Sequence, residues 1–210
     1  MSEDTISFYH AAPSRGSIVH WMLEEVGAPF EVELLDLAKG EQKAPAFLAL
    51  NPMGKVPAIV HRGVVITEVA AICCYLADAF PAAGLAPPVA DARRGTYLRW
   101  LFFEAAALEP AIVDRMLARP ADRPMALGYG DFDTAMEVTA QAVTPGPFLL
   151  GERFSAADVV LGSALRWGTM VGCVPQRPEF AAYIERLASR PALKRAQARD
   201  AELAAGRGAG

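Results

Sequence analysis

The sequence predicts an α/β domain of order β-α-β-α-β-β-α followed by an all-α domain. Three observations lead there. Short β-like runs alternate with helical patterns only as far as Phe80. A stretch rich in proline, Phe80 to Pro88, comes next. Beyond it nearly every apolar pattern has the helical period. The expected layout is residues 1–80 as the first domain, 81–90 as a linker and 91–210 as the helical domain.

Taken in order, Ile6 to His10 reads as a first strand, with a Pro13- and Gly16-bearing turn after it. Ile18, Trp21, Met22 and Val26 recur at helical spacing, and Gly27 stands where a helix C-cap belongs. Phe30 to Leu35 reads as a second strand. Glu41 to Leu50 reads as a short helix, which Asn51-Pro52 ends. Pro57 to Val60 and Val64 to Ile66, joined by His61-Arg62-Gly63, read as a hairpin. Thr67 is placed to cap a helix carrying Val69, Ile72, Cys73 and Leu76. Strands one to three need helical crossovers, which favours a mixed sheet covered by helices. In the second half, helices are expected over Ala92–Leu117, with a kink or boundary at Pro110, and over Asp131–Val143, Ser155–Gly168, Glu179–Ser189 and Ala192–Ala204. Tyr97, Trp100, Phe103, Glu104, Leu108 and Met116 either pack as helix core or line a pocket for a second substrate; core packing fits most of them better.

Composition narrows the function classes. Hydrophobic residues make up 53% and charged residues 21%, enough for a packed core and too apolar for a disordered chain. The net charge of −4, with lysines and arginines scattered, gives no reason to expect nucleic acid or an acidic membrane as partner. No apolar run approaches the roughly 20 residues of a membrane span. Met1-Ser2-Glu3-Asp4 lacks the basic start of a secretory signal, so a cytoplasmic location is expected. Cys73, Cys74 and Cys173 form no C-x-x-C. The adjacent pair reads as small buried hydrophobes, and no metal site is expected.

Three segments carry chemistry. The turn His10-Ala11-Ala12-Pro13-Ser14-Arg15-Gly16-Ser17 leads into a helix N-terminus, whose free N–H groups and partial positive charge stabilise an anion such as a thiolate. Ser14 or Ser17 would donate an O–H to it and Arg15 would add fixed charge; a serine here also serves as an ordinary N-cap. In Asn51-Pro52-Met53-Gly54-Lys55-Val56-Pro57, a cis Val56–Pro57 bond would expose the Val56 N–H and C=O to an extended peptide; the plain alternative is a loop before the hairpin. Glu68, at another helix start, would accept a hydrogen bond from a ligand ammonium, or simply favour the helix dipole.

Together these segments resemble the glutathione S-transferase family, of the cytosolic, bacterial type with a serine-like active site. Asn51 to Pro57, with Glu68 eleven residues further on, is similar to that family's N-P-x-G-x-V-P … E-S pattern. The Pro/Ser/Arg turn after the first strand, with Leu23-Glu24-Glu25 and Gly27-Ala28-Pro29-Phe30-Glu31 beyond it, resembles the family's opening. Phe154-Ser155-Ala156-Ala157-Asp158 looks like its F-[ST]-x-A-D helix start, physically a capping box with Ser155 at the N-cap. The resemblance covers nearly the whole chain. It implies a thioredoxin-like first domain that binds glutathione. Val56 would pair with the cysteinyl backbone before a cis Pro57, Glu68 and the amide of Val69 would hold the γ-glutamyl end, and Lys39, Lys43 or Lys55 would meet the glycine carboxylate. It also implies a homodimer, a role in detoxification, and transfer of glutathione to a hydrophobic electrophile. Ser14 is the first choice as thiol activator and Ser17 the second, with Tyr9 inside the strand.

Two departures qualify what the resemblance implies. Val69 stands where the family usually has serine, so one hydroxyl for the γ-glutamyl carboxylate is missing. No cysteine lies in Ala12-Pro13-Ser14, which argues against disulfide exchange through a protein thiol. Alternatives on the same fold are a non-catalytic glutathione-binding or interaction protein and a glutathione-dependent peroxidase or dehalogenase.

Overall fold

The computed structural model describes residues 4–119 and 122–207; the acidic start Met1-Ser2-Glu3 lies outside them. Among the described residues the elements are β1 (Ile6–His10), α1 (Gly16–Val26), β2 (Phe30–Leu34), α2 (Pro45–Leu50), β3 (Ala58–His61), β4 (Val64–Thr67), α3 (Val69–Ala79), α4 (Arg93–Phe103), α5 (Glu109–Met116), α6 (Phe132–Val143), α7 (Ala156–Met170), α8 (Pro178–Ala188) and α9 (Pro191–Arg207). The chain divides into two compact units, Met1–Ala83 with Arg190–Gly210 and Gly84–Ser189.

In the first unit the sheet order is β2-β1-β3-β4. β1 runs parallel to β2 and antiparallel to β3, which pairs antiparallel with β4, giving the mixed thioredoxin-like sheet expected. Alternation along β1 sends Ile6, Phe8 and His10 to one buried face and Ser7 and Tyr9 to the other. Helices cover both faces. The Phe8 ring meets His20 of α1, and Tyr9 meets Phe47 of α2. Gly27 ends α1 at φ 66°, where its N–H bonds the Leu23 carbonyl, as a left-handed C-cap does.

Several local expectations are corrected. The Glu41–Leu50 helix is split into a 3-10 turn, Glu41–Lys43, and α2, because Pro45 takes the first position of a new helix. Thr67 does not cap α3. It pairs with Ala58 as the last residue of β4, and Glu68 is the N-cap. Cys73 is buried as expected, but Cys74 is half-buried. The sequence order places the last helix in the second domain, whereas residues 190–210 group with the first unit. The helix buries Ala192, Leu193 and Ala196, and polar contacts fix it: Arg190 makes a paired contact with Glu25 (2.6 and 2.7 Å), and Arg195 bonds Glu24 at 2.7 Å. Residue numbers rise along α9 as they fall along α1, so the two helices lie antiparallel.

The second unit is helical. α4 and α5 form one rod interrupted by a π-helical turn, Glu104–Leu108. Pro110 lies in the first turn of α5, where the missing N–H is accommodated by this local rewinding. Tyr97, Trp100, Glu104 and Leu108 are buried, while Met116 is exposed. The fully buried Asp158 organises the unit. Its carboxylate accepts from the Ser155 N–H and Oγ, the reach-back half of the expected capping box, and from the Leu149 N–H and the Tyr183 hydroxyl, all at 2.8–2.9 Å. Burial pushes this carboxyl up, and the four donors oppose that. Asp158→Ala is expected to cost about 3 kcal/mol or more, because four donors lose a buried acceptor. Urea unfolding of both proteins measures the difference.

Candidate functional site

The sheet register gathers the three turns. Ala58 pairs with Tyr9 on one side and with Thr67 on the other. β4 finishes at this row, β1 finishes one residue beyond it and β3 begins there. The 11–15 turn, the 51–57 turn and Glu68 therefore leave the sheet at the same end. Three strands at ~4.8 Å spacing span about 10 Å, the length of an extended tripeptide.

The 51–57 turn is held from inside. Asn51, 4% exposed, donates through Nδ2 to the Lys55 carbonyl at 2.8 Å and accepts from the Met53 N–H at 3.1 Å. Gly54 has φ 59°, and a Cβ there would lie 2.6 Å from Lys43 Nζ and 2.8 Å from the Gln42 carbonyl oxygen, so only glycine fits. The Lys43 ammonium donates to the Met53 carbonyl at 3.0 Å, which places it on this turn, and the exposed Lys55 sits in the turn itself. Lys39 is drawn off to Asp36 at 3.3 Å. The Val56–Pro57 bond is cis, as expected, and so is Ala12–Pro13, which sequence reasoning missed. The half-buried Val56 precedes β3, and among the described residues its backbone groups have no partner.

Glu68 is exposed and adopts φ 68°, ψ 121°, a conformation non-glycine residues rarely hold. Residues in such regions cluster at ligand-binding sites, because the surrounding structure must enforce them. Val69 opens α3 beside it, half-buried, with the free N–H of a first helical residue.

At the first turn, Ser14 and Ser17 take different roles. Ser14 Oγ accepts the Gly16 N–H at 2.9 Å, and among the described residues no acceptor takes its own hydrogen. The Ser17 side chain instead lies close to the Asp200 carboxylate of α9 and helps hold its pKa down. Arg15 is exposed at the N-cap of α1. Tyr9 lies on the opposite sheet face from His10, and burial, reinforced by the Glu33 charge, raises its phenol above the ordinary value.

Sequence reasoning also missed a polar cluster beneath this turn. His10 and His20, both fully buried, converge on one oxygen of Asp200, from Nε2 at 3.0 Å and Nδ1 at 2.5 Å. Nothing local signals a contact across some 190 residues. Burial alone would raise the Asp200 carboxyl; the bonds from His10, His20 and Ser17 outweigh it and hold the group well below the usual carboxylate range. Among the described residues these three are the group whose ligand atoms, within 4.8 Å of one another, could take a metal ion. Both histidines already face the carboxylate, however, and their other nitrogens are buried without a partner. A metal-bound imidazole is ordinarily oriented by a partner at that second nitrogen, so the trio reads as a hydrogen-bonded clamp.

The clamp has a defined pH signature. The Asp200 pKa is depressed by folding, so its contribution is full above the unfolded value, about 3.9, and is lost as pH falls toward the folded one. Asp200→Asn is expected to be less stable than the parent at pH 7, with the difference shrinking below about pH 4. Thermal unfolding from pH 7 to pH 3 measures it.

Comparison with known proteins follows the same division. The model of the glutathione S-transferase N-terminal domain matches residues 16–79, and that of the C-terminal domain matches residues 135–191. Glutathione S-transferase 3 of Zea mays is 32% identical, over 83% of this chain and 84% of the relative. The disulfide-bond oxidoreductase YfcG of Escherichia coli (strain K12) is 29% identical, over 91% and 94%. The crystal structure of a glutathione transferase from Methylococcus capsulatus str. bath superposes with a TM-score of 0.79 at 29% identity, over 93% of this chain and 98% of that one. No described helix is long and apolar enough to cross a membrane.

Proposed function

We propose that this chain, which belongs to the glutathione S-transferase family, binds glutathione along its three aligned turns and activates the thiol for attack on an electrophilic carbon. The observation that carries the reading is the Tyr9–Ala58–Thr67 row, which sets an anion-stabilising helix start, an unpaired backbone edge and an acidic helix start side by side. Val56 pairs with the cysteinyl backbone. The Glu68 carboxylate accepts from the γ-glutamyl ammonium, and the Val69 N–H donates to the γ-glutamyl carboxylate. Lys43, with Lys55 on the same turn, meets the glycine carboxylate.

Ser14 is the activating residue. Its oxygen is steadied by the Gly16 N–H while its hydrogen points at the thiolate, beside the N-terminus of α1 and the Arg15 guanidinium. A free thiol has a pKa of about 8.5, so a depression of two units, worth about 2.7 kcal/mol, makes thiolate dominant at neutral pH. The thiolate forms a C–S bond, and the leaving group departs with the electron pair. The Ser17 hydroxyl, engaged by Asp200, serves structure rather than the thiol. The same family reading carries a homodimeric, cytoplasmic enzyme of detoxification acting on a hydrophobic electrophile.

A second reading is favoured by the similarity to a protein named as a disulfide-bond oxidoreductase. There the same thiolate attacks a disulfide sulfur and expels the other sulfur as thiolate, with no protein cysteine taking part.

Conjugation of a chromogenic aryl halide separates the assignments. Ser14→Ala is expected to lose about a hundredfold in kcat/KM, with the bound thiol pKa returning toward 8.5; Ser17→Ala is expected to lose much less. Parental activity in Ser14→Ala would remove Ser14 from its role. Glutathione binding by calorimetry without turnover of aryl halide or disulfide would leave the non-catalytic alternative. Glu68→Ala is expected to weaken binding about tenfold, as loss of one charge-assisted hydrogen bond does.

A further inference from the structure

We infer that Asp200 of α9 is a positioning residue for the thiol-activating turn, an inference that rests on the glutathione-transferase reading above. Contacts between α9 and α1 occur at three levels. Arg190 and Arg195 grip Glu25 and Glu24 at the carboxyl end of α1, far from the turn. The third contact, Asp200, reaches the amino end, where Ser17, His20 and His10 converge on it.

These partners come from the two elements that flank the turn. His10 is the last residue of β1, and Ser17 and His20 lie in the first turns of α1. One carboxylate therefore ties strand end to helix start, with residues 11–15 strung between. The tie reaches Ser14 through a hard contact. A Cβ added to Gly16 would stand 2.1 Å from His10 Nδ1 and 3.0 Å from Ser14 Oγ, so the His10 ring lies directly against the Gly16 backbone. The Gly16 N–H in turn holds Ser14 Oγ. Release of Asp200 frees the His10 ring, and with it the geometry of the N–H and the hydroxyl that face the thiolate. A displacement of about 1 Å at such a site can cost up to about a hundredfold in rate. On this account the carboxyl-terminal helix is a working part of the glutathione site that contributes no group to the ligand.

Three variants test it, read by the thiolate absorbance of bound glutathione against pH and by kcat/KM. Asp200→Ala deletes the acceptor. It is expected to raise the bound thiol pKa by about one unit and, through the loss of thiolate, lower kcat/KM at neutral pH about threefold. Asp200→Asn keeps a carbonyl oxygen for the same donors and is expected to restore most of the parental thiol pKa. Arg190→Ala loosens the far end of α9 and is expected to lower the thermal midpoint without moving the thiol pKa. If Asp200→Ala does not fold, Asp200→Ser, whose short hydroxyl cannot reach both rings, carries the same expectation. An unchanged thiol pKa in the folded Asp200 variant, or an equal rise in Arg190→Ala, overturns the inference. If the parent binds no glutathione, the functional reading fails, and the clamp is judged by amide hydrogen exchange alone. Faster exchange confined to residues 14–19 in Asp200→Ala supports it, and parental exchange there overturns it.

Discussion

Ala58 pairs in register with Tyr9 on one flank and with Thr67 on the other, and the placement of every proposed ligand group follows from that row. Hydrogen bonding between strands fixes their spacing, so the distance from the first turn to Glu68 is set by two strand separations rather than by loop conformation. Loops are ordinarily the adaptable part of a site. Here each is short and internally held, by Asn51 in one, by Ser14 and Gly16 in another, and by the enforced φ of Glu68 in the third. A site built this way needs little ordering on binding, which leaves more of the contact energy for affinity.

Each unit also contains a carboxylate ringed by donors, the buried Asp158 in one and the half-buried Asp200 in the other. An isolated carboxylate would be costly in either place; three or four donors each offset that cost and make the arrangement directional. Asp158 ties a loop and two helices within the helical unit. Asp200 ties the end of β1, the start of α1 and α9 together within the first unit. The last helix consequently belongs with the sheet despite following five other helices in sequence.

What was legible in the sequence was mostly local. Alternation in Ile6–His10, the helical spacing ending at Gly27, and the reach of Asp158 back to Ser155 each act over a few residues, and each is found in place. The Asn51–Pro57 turn was legible as a pattern, and its internal hydrogen bonds explain the residue types. The misreadings were failures of non-local information. Whether Thr67 caps a helix or ends a strand depends on Ala58 across the hairpin. Whether Ser17 faces a ligand or a carboxylate depends on a residue more than 180 positions away. Placing α9 required knowing that Arg190, Arg195 and Asp200 all find partners on α1. Pro110 was legible as a disturbance, but its resolution as a π-helical turn was not, since several rewindings accommodate a missing N–H.

The most direct test of the aligned-turn account is a titration of the isotope-labelled protein with glutathione, followed by amide chemical shifts. The account predicts that the largest changes map to residues 14–17, Val56 and residues 68–70, moving together along one saturation curve. Changes centred elsewhere, or none at tens of millimolar glutathione, would contradict it.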